Sequence, residues 1–254
     1  MSAQLISIFD TIKLGDTKSV REIIFANPEL MDAVREDDYF KDTPLTFSAK
    51  HNQKEIVELL LKRGADINKT NAYGFNAYFS AVNEYHYELA ISLLNEKNLD
   101  LNHKSYSKAD ALGQALRNVK HLYTEEMFDP KININLLFKL IDALLEKGFD
   151  INKPQLSVCS SPVVISASCQ SWTLVAYLIS KGANYTAKDN MGHDIWTHFC
   201  GNQYFTAHGK TELFKLLEFT IKQSGEKYGK IVKPENFYVD MFGQPFEPTT
   251  QVLI

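Results

Sequence analysis

The stretch from Thr43-Pro44-Leu45 to Gly64-Ala65-Asp66-Ile67-Asn68 constrains the fold more than any other in the chain. Threonine before proline reads as a helix start: its hydroxyl accepts from a free first-turn N–H, and proline's fixed φ suits the first helical position. A short helix is predicted over 45–50, with Asn52 as the left-handed residue that ends it. From 54 to 62 the residues Ile56, Val57, Leu59, Leu60 and Leu61 form a broad apolar stripe at helical spacing. Gly64 falls just past the last apolar turn, where a left-handed stop belongs. The unit is a helix, a turn, a helix, a glycine stop and an extended Asp-Ile-Asn finger. Such a unit has to stack on others to bury its apolar face.

The rest of the chain supplies those others. Asn76 lies 33 residues after Thr43, and Asp110 lies 34 after Asn76. The second helix of the next unit, over 87–95, runs into Asn98-Leu99-Asp100-Leu101-Asn102, where Asn98 is expected to take the left-handed place of glycine. A fourth unit has helices over 111–119 and 135–146 and ends in Gly148-Phe149-Asp150-Ile151-Asn152. Gly148 comes 50 residues after Asn98, so the excess is assigned to a loop over 121–133. Ser161-Pro162-Val163 then mirrors Thr43-Pro44-Leu45, and Gly182-Ala183-Asn184 follows Gly148 by 34. A sixth unit starts at Asp189-Asn190-Met191-Gly192, and its last helix is expected over 211–222. Ahead of all these, helices over 5–14 and 18–25 form an abbreviated first unit.

The TPL opening, the leucine run and Gly-Ala-Asp-Ile-Asn resemble the ankyrin repeat, with Thr46 in place of the usual histidine. The chain is similar to the single-domain ankyrin arrays of bacteria. The resemblance implies an all-α ankyrin solenoid of about six helix pairs with atypical caps. The repeats are placed at 5–37, 38–70, 71–104, 105–155, 156–188 and 189–225, within one domain over 1–225. Residues 226–254 carry Pro234, Pro245 and Pro248 and form a non-repeat tail.

A hydrophobic content of 44% with 12% aromatics is ample for a core. The net charge of −4 argues against a nucleic-acid partner, which needs clustered Lys and Arg. Three cysteines without a CxxC pair suit a reducing, cytoplasmic setting, and neither a secretory signal nor a membrane span is expected. P-loop, dinucleotide, GxSxG and HExxH patterns are missing. His193, His198 and Cys200 raise a metal-ligand or Cys–His reading. Packing is preferred, with Trp196, Phe199 and Cys200 as core and His193 on a finger. Glu125, Glu126 and Asp129 are read as a solvated loop rather than an acid pair. No catalytic residue, metal, cofactor or small-molecule substrate is expected.

What remains is a surface. The ankyrin resemblance implies that partners are bound by finger tips and inner helices. In this chain the positions left free for ligands are Tyr39, Phe40, Asp42, Lys50, His51 and Thr70; Ala72, Tyr73, Phe75, Asn83 and Glu84; and Tyr106, Ser107, Arg117 and Asn118. Tyr39, Phe40, Tyr73, Phe75 and Tyr106 are expected side by side as an interface core, with Asp42, Glu84 and Arg117 as flanking charges. The alternative is that some of these rings fold inward over neighbouring fingers. The implied function is non-enzymatic protein binding. A toxin-neutralising immunity protein is the first choice, and an effector or scaffold that binds host proteins is the second. An enzyme with a site in the fourth unit's insertion ranks last.

Overall fold

The computed structural model describes residues 3–35, 38–117, 119, 132–155, 160–200 and 207–228. Among these, the regular structure is twelve α-helices and one 3-10 turn (Pro28–Asp32), with one isolated bridge between Gln155 and Ser160 and no strand. The helices fall into two compact units. The first holds α1 (Ala3–Leu14), α2 (Thr17–Ala26), α3 (Pro44–Lys50), α4 (Lys54–Lys62), α5 (Ala77–Asn83), α6 (Tyr87–Leu94), α7 (Ala111–Arg117) and α8 (Ile134–Glu146). The second holds α9 (Pro162–Ser168), α10 (Trp172–Ser180), α11 (Ile195–Cys200) and α12 (Ala207–Gln223). The fourth unit's expected insertion falls almost wholly outside the described residues, as does nearly all of the tail.

The first helix of each pair from α3 onward in the first unit starts at a side-chain cap, whereas α4 and α6 have none. The Thr43 hydroxyl accepts from the Thr46 amide at 3.2 Å while the Thr46 hydroxyl accepts from the Thr43 amide at 2.8 Å, a reciprocal box. The Asn76 side chain accepts from the Phe79 amide at 3.1 Å, and Asp110 accepts from the amides of Leu112 and Gly113. In the second unit Ser161 departs from this pattern. Its hydroxyl makes no cap, and its oxygen is buried without a partner among the described residues.

The inter-helix turn is one device used three times. Asn52, Tyr85 and Gln170 adopt φ of 55°, 63° and 59°. Each turn is closed by the same backbone bond, from Gln53 to Ser48, His86 to Ala81 and Ser171 to Ser166. After the second helices, Gly64, Gly148 and Gly182 take φ of 95°, 88° and 95° with open space where a Cβ would sit, so glycine is there for its backbone freedom.

Asn98 does not follow them, and the expectation of a left-handed asparagine is corrected. It is not among the residues with positive φ. Each glycine stop carries a further bond from the next residue back to the helix, Ala65 to Leu60, Phe149 to Leu144 and Ala183 to Leu178. Helix α6, with eight residues to the nine of α4, is instead left through a turn closed from Glu96 to Leu93.

The apolar stripes pack as their spacing requires. Ile56, Val57 and Leu60 of α4 are buried, while Leu59 and Leu61 sit at the edge. Helix α3 packs on α4 and α5, and α5 on α6 and α7. Tyr78 of α5 is buried and donates its hydroxyl to the Ala111 carbonyl at 3.0 Å. Each fully buried Leu, Ile, Val or Phe in these stripes contributes about 1.5–3 kcal/mol.

The Asp-Ile-Asn strings carry a second linkage. Asp66, Asp100 and Asp150 each accept from the amide two residues on, while Ile67 and Ile151 point inward. The asparagine then reaches the next repeat. Asn68 donates to the Asn98 carbonyl at 2.7 Å and accepts from the Asp100 amide at 2.8 Å. In the second unit Asn152 accepts from the Asn184 amide at 2.7 Å in the same way.

Candidate protein-binding surface

The finger turns of the first unit are stitched by backbone bonds spaced one repeat apart. The Ala72 amide donates to the Phe40 carbonyl at 2.8 Å, and the Tyr106 amide to the Tyr73 carbonyl at 3.2 Å. Asn71 builds the middle finger from within, because its side-chain oxygen accepts from the amides of Tyr73 and Phe75. With the backbone so fixed, the aromatic side chains are carried to one edge.

There they form a continuous run. Tyr39 meets Phe40 at 6.0 Å and Tyr73 at 5.8 Å between ring centroids, Phe40 meets Tyr73 at 5.3 Å, and Tyr73 meets Phe75 at 6.0 Å. Phe75 continues to Phe79 at 6.1 Å, which anchors the run in the core. Tyr106 lies over Gly74: a Cβ added there would come within 2.7 Å of the Tyr106 ring. Tyr39 and Tyr106 are the most open, at 79% and 74% exposure, while Phe40, Tyr73 and Phe75 are half-buried. The Tyr39 hydroxyl beside it raises the Tyr73 phenol above its ordinary value, with loss of solvent adding to the effect.

Lys50, at the end of α3, borders this run. Its Nζ lies 3.5 Å from the centre of the Phe40 ring and 3.6 Å from the Asp42 carboxylate. Asp42 itself is fully buried, which corrects its expected place among the contact residues. One of its oxygens accepts from the Thr46 hydroxyl at 3.1 Å and the Asn71 amide at 2.9 Å. The sequence pattern placed Asp42 at a variable finger position, and the fold turns the carboxylate inward to tie one finger to the next. It therefore offers no charge to the surface; Lys50 does.

The remaining expected residues are half-buried or exposed, with Thr70, Ala72 and Ser107 on the fingers and His51, Asn83, Glu84 and Arg117 at the ends of α3, α5 and α7. His51 packs its ring on Phe47 at 4.3 Å, and burial lowers its pKa, with Lys50 adding. Asn83 donates to Glu84 at 3.2 Å. Arg117 donates to the Ser107 hydroxyl at 2.6 Å. Asn118 lies outside the described residues. In the turn before α6, the His86 Nε2 lies 3.1 Å from the Lys50 carbonyl, and burial lowers its pKa.

In the second unit Phe199 is buried against Trp172, with ring centroids 5.2 Å apart, whereas Trp196 and Cys200 are half-buried. His193 lies on the finger, as expected, and Asp189 rather than Cys200 stands with the two histidines.

This arrangement of paired short helices, glycine stops and stitched fingers defines a repeat scaffold that presents a surface. The family model described as ankyrin repeats matches residues 8–105 in three copies, so that part of the chain is built of ankyrin repeats. Among curated proteins it is 25% identical over 177 residues to the phosphocholine transferase AnkX of Legionella pneumophila, covering 66% of this chain and 16% of the relative. It is 40% identical over 57 residues to the human transient receptor potential cation channel subfamily A member 1, covering 22% of this chain and 5% of the channel. The chain thus spans less than a fifth of the length of either relative.

Solved structures of similar fold include the ankyrin repeat domain of Bcl-3, at a TM-score of 0.61 and 18% identity over 85% of both chains. The ankyrin repeat protein EF0377 matches at 0.59 and 22%, covering 85% of this chain and 96% of that one. A chain of the complex between the Bdellovibrio bacteriovorus predatory endopeptidase Bd0816 and the immunity protein Bd3460 matches at 0.59 and 18%, covering 87% of this chain and 97% of that one. These likenesses concern the fold.

Proposed function

We propose that this protein acts without catalysis, by holding a protein partner on the finger edge of its first unit. The observation that carries the reading is the unbroken run Tyr39–Phe40–Tyr73–Phe75 with Lys50 beside it. Aromatic rings give large contact area at little rotamer entropy, and they dominate interface hot spots. Rings packed edge-on or tilted against one another and held by a stitched backbone are already in place before binding, which lowers the cost of association. The partner is a toxin-class protein that the chain neutralises. Supporting this are the net charge of −4, suited to a basic partner, and the likeness in fold to a chain of an endopeptidase–immunity protein complex. The match to part of a Legionella transferase favours a second reading, a module that engages host proteins.

The test is an affinity measurement and a melting curve on the same variants. Tyr73→Ala or Phe75→Ala is expected to weaken binding by about 2 kcal/mol or more, as for a hot spot, with a smaller change in stability. Variants that bind like the parent but melt much lower would make these rings structural and remove the proposed face. The partner class is tested by co-expression with toxins encoded beside the gene. Rescue of growth supports neutralisation, whereas capture of eukaryotic proteins with no rescue supports the second reading.

A further inference from the structure

We propose that Asp189, His193 and His198 in the second unit form a site for one zinc-type divalent metal ion. The finger turn sets the carboxylate. One Asp189 oxygen accepts from the amides of Met191 at 2.9 Å and His193 at 2.8 Å, and the Asp189 amide donates to the His193 carbonyl. That leaves the other oxygen turned to the imidazoles, 3.6 Å from His193 Nδ1. His198 comes from α11, its ring centre 5.8 Å from that of His193. One donor atom from each of the three residues lies within 4.8 Å of the others.

The second observation is His198 itself. Its Nε2 is buried and has no hydrogen-bond partner among the described residues. A buried imidazole nitrogen without a partner is an unsatisfied group, and a metal ion would satisfy it. Burial lowers the pKa of His198, with His193 adding. Burial pushes the Asp189 carboxyl up, but the amides of His193 and Met191 outweigh it and hold the group ionised to lower pH.

Two imidazole nitrogens and one carboxylate suit zinc, cobalt or nickel rather than calcium or magnesium, which require mostly oxygen ligands. With bonds of about 2.0–2.2 Å, the donors close on one another by about an ångström as the ion enters. Three protein ligands leave the fourth tetrahedral position for water or a group from a partner. The ion would clamp the finger to α11, since two ligands come from one and the third from the other. This departs from the sequence reading, which grouped the histidines with Cys200 and had no reason to add a finger-turn aspartate. The equivalent residue of the earlier finger, Asn71, makes the same pair of amide contacts.

Calorimetric titration of the chelator-stripped full chain with zinc chloride tests the site, with cobalt absorption as a second probe. One saturable zinc per chain is expected. At least tenfold weaker binding is expected for His193→Ala, His198→Ala and Asp189→Asn, and unchanged binding for Cys200→Ser. The Asp189→Asn change keeps the turn, since asparagine makes the same bonds at Asn71, and His193 lies on a finger where alanine does not threaten the core. Circular dichroism verifies that each variant is folded, and if His198→Ala is not, the other two decide. An absence of saturable uptake by the parent, or an affinity that both folded single variants leave unchanged, would overturn the proposal.

Discussion

Replacing Asp42 tests whether this carboxylate holds the fingers together or serves as a surface charge. In Asp42→Ala, the Asn71 amide loses its acceptor at 2.9 Å. The Thr46 hydroxyl is less affected, because it also lies 3.1 Å from the Thr43 carbonyl. Lys50 loses its counter-ion at 3.6 Å but keeps the Phe40 ring and some solvent. Removing a hydrogen bond to a charged group and leaving a buried amide unpaired costs about 1.5–3 kcal/mol, to which the half-buried lysine adds less than about 1. The expected loss is therefore about 1.5–4 kcal/mol, and Asp42→Asn, which keeps one acceptor oxygen, should lose less. Both tryptophans, Trp172 and Trp196, belong to the second unit, so their fluorescence would report on the wrong part of the chain. Amide hydrogen exchange on α3, α4 and α5 reads the correct part, and their protection is expected to fall by about 10- to 1,000-fold. Protection within threefold of the parent, together with a slower and less salt-sensitive association with the partner, would refute the buried role and restore Asp42 as a steering charge.

Two further outcomes follow from the same geometry. Gly74→Ala forces a non-glycine residue to φ +71° and sets a Cβ 3.0 Å from the Tyr106 backbone nitrogen, so it should cost about 1–3 kcal/mol and loosen the Tyr106 amide; a Tyr106 exchange rate equal to the parent's would contradict this. His51 and His86 have folded pKa values lowered below 6.5, chiefly by burial, so below that pH the unfolded chain takes up protons that the folded chain does not. First-unit stability should be fully present above about pH 7 and fall as pH drops through 6.5 toward the folded values. Exchange protection at pH 7.5 and 5.5 checks the slope, and the double variant His51→Gln, His86→Gln should flatten it.

The helix pairs were legible because each is specified within about twenty residues. Thr43-Pro44 and Asn76 cap their helices, Asn52 and Gly64 end them, and Ile56, Val57 and Leu60 lie on one face whatever the rest of the chain does. The neighbourhood of Tyr39, Phe40, Tyr73 and Phe75 followed from repeat spacing alone, since one finger sits beside the next. Asn98 was misread because the stop it was assigned depends on where α6 ends and on how the chain leaves it, through a turn closed from Glu96 to Leu93.

What only the tertiary structure decided concerns side chains whose partners lie about 30 residues away. Asp42 reads as a charge at a variable tip, and only the approach of Asn71 makes it a buried acceptor. Asn68 reads as a finger residue until the next repeat brings the Asn98 carbonyl and Asp100 amide to it. The two histidines could be seen in the sequence, but the turn of one finger was needed to aim Asp189 at them. Backbone geometry obeys local propensity and spacing, so the sequence alone determined the helices, their order and their ankyrin pattern. The direction in which a polar side chain points is set by which unsatisfied group the folded chain leaves nearest to it, and stacking decides that.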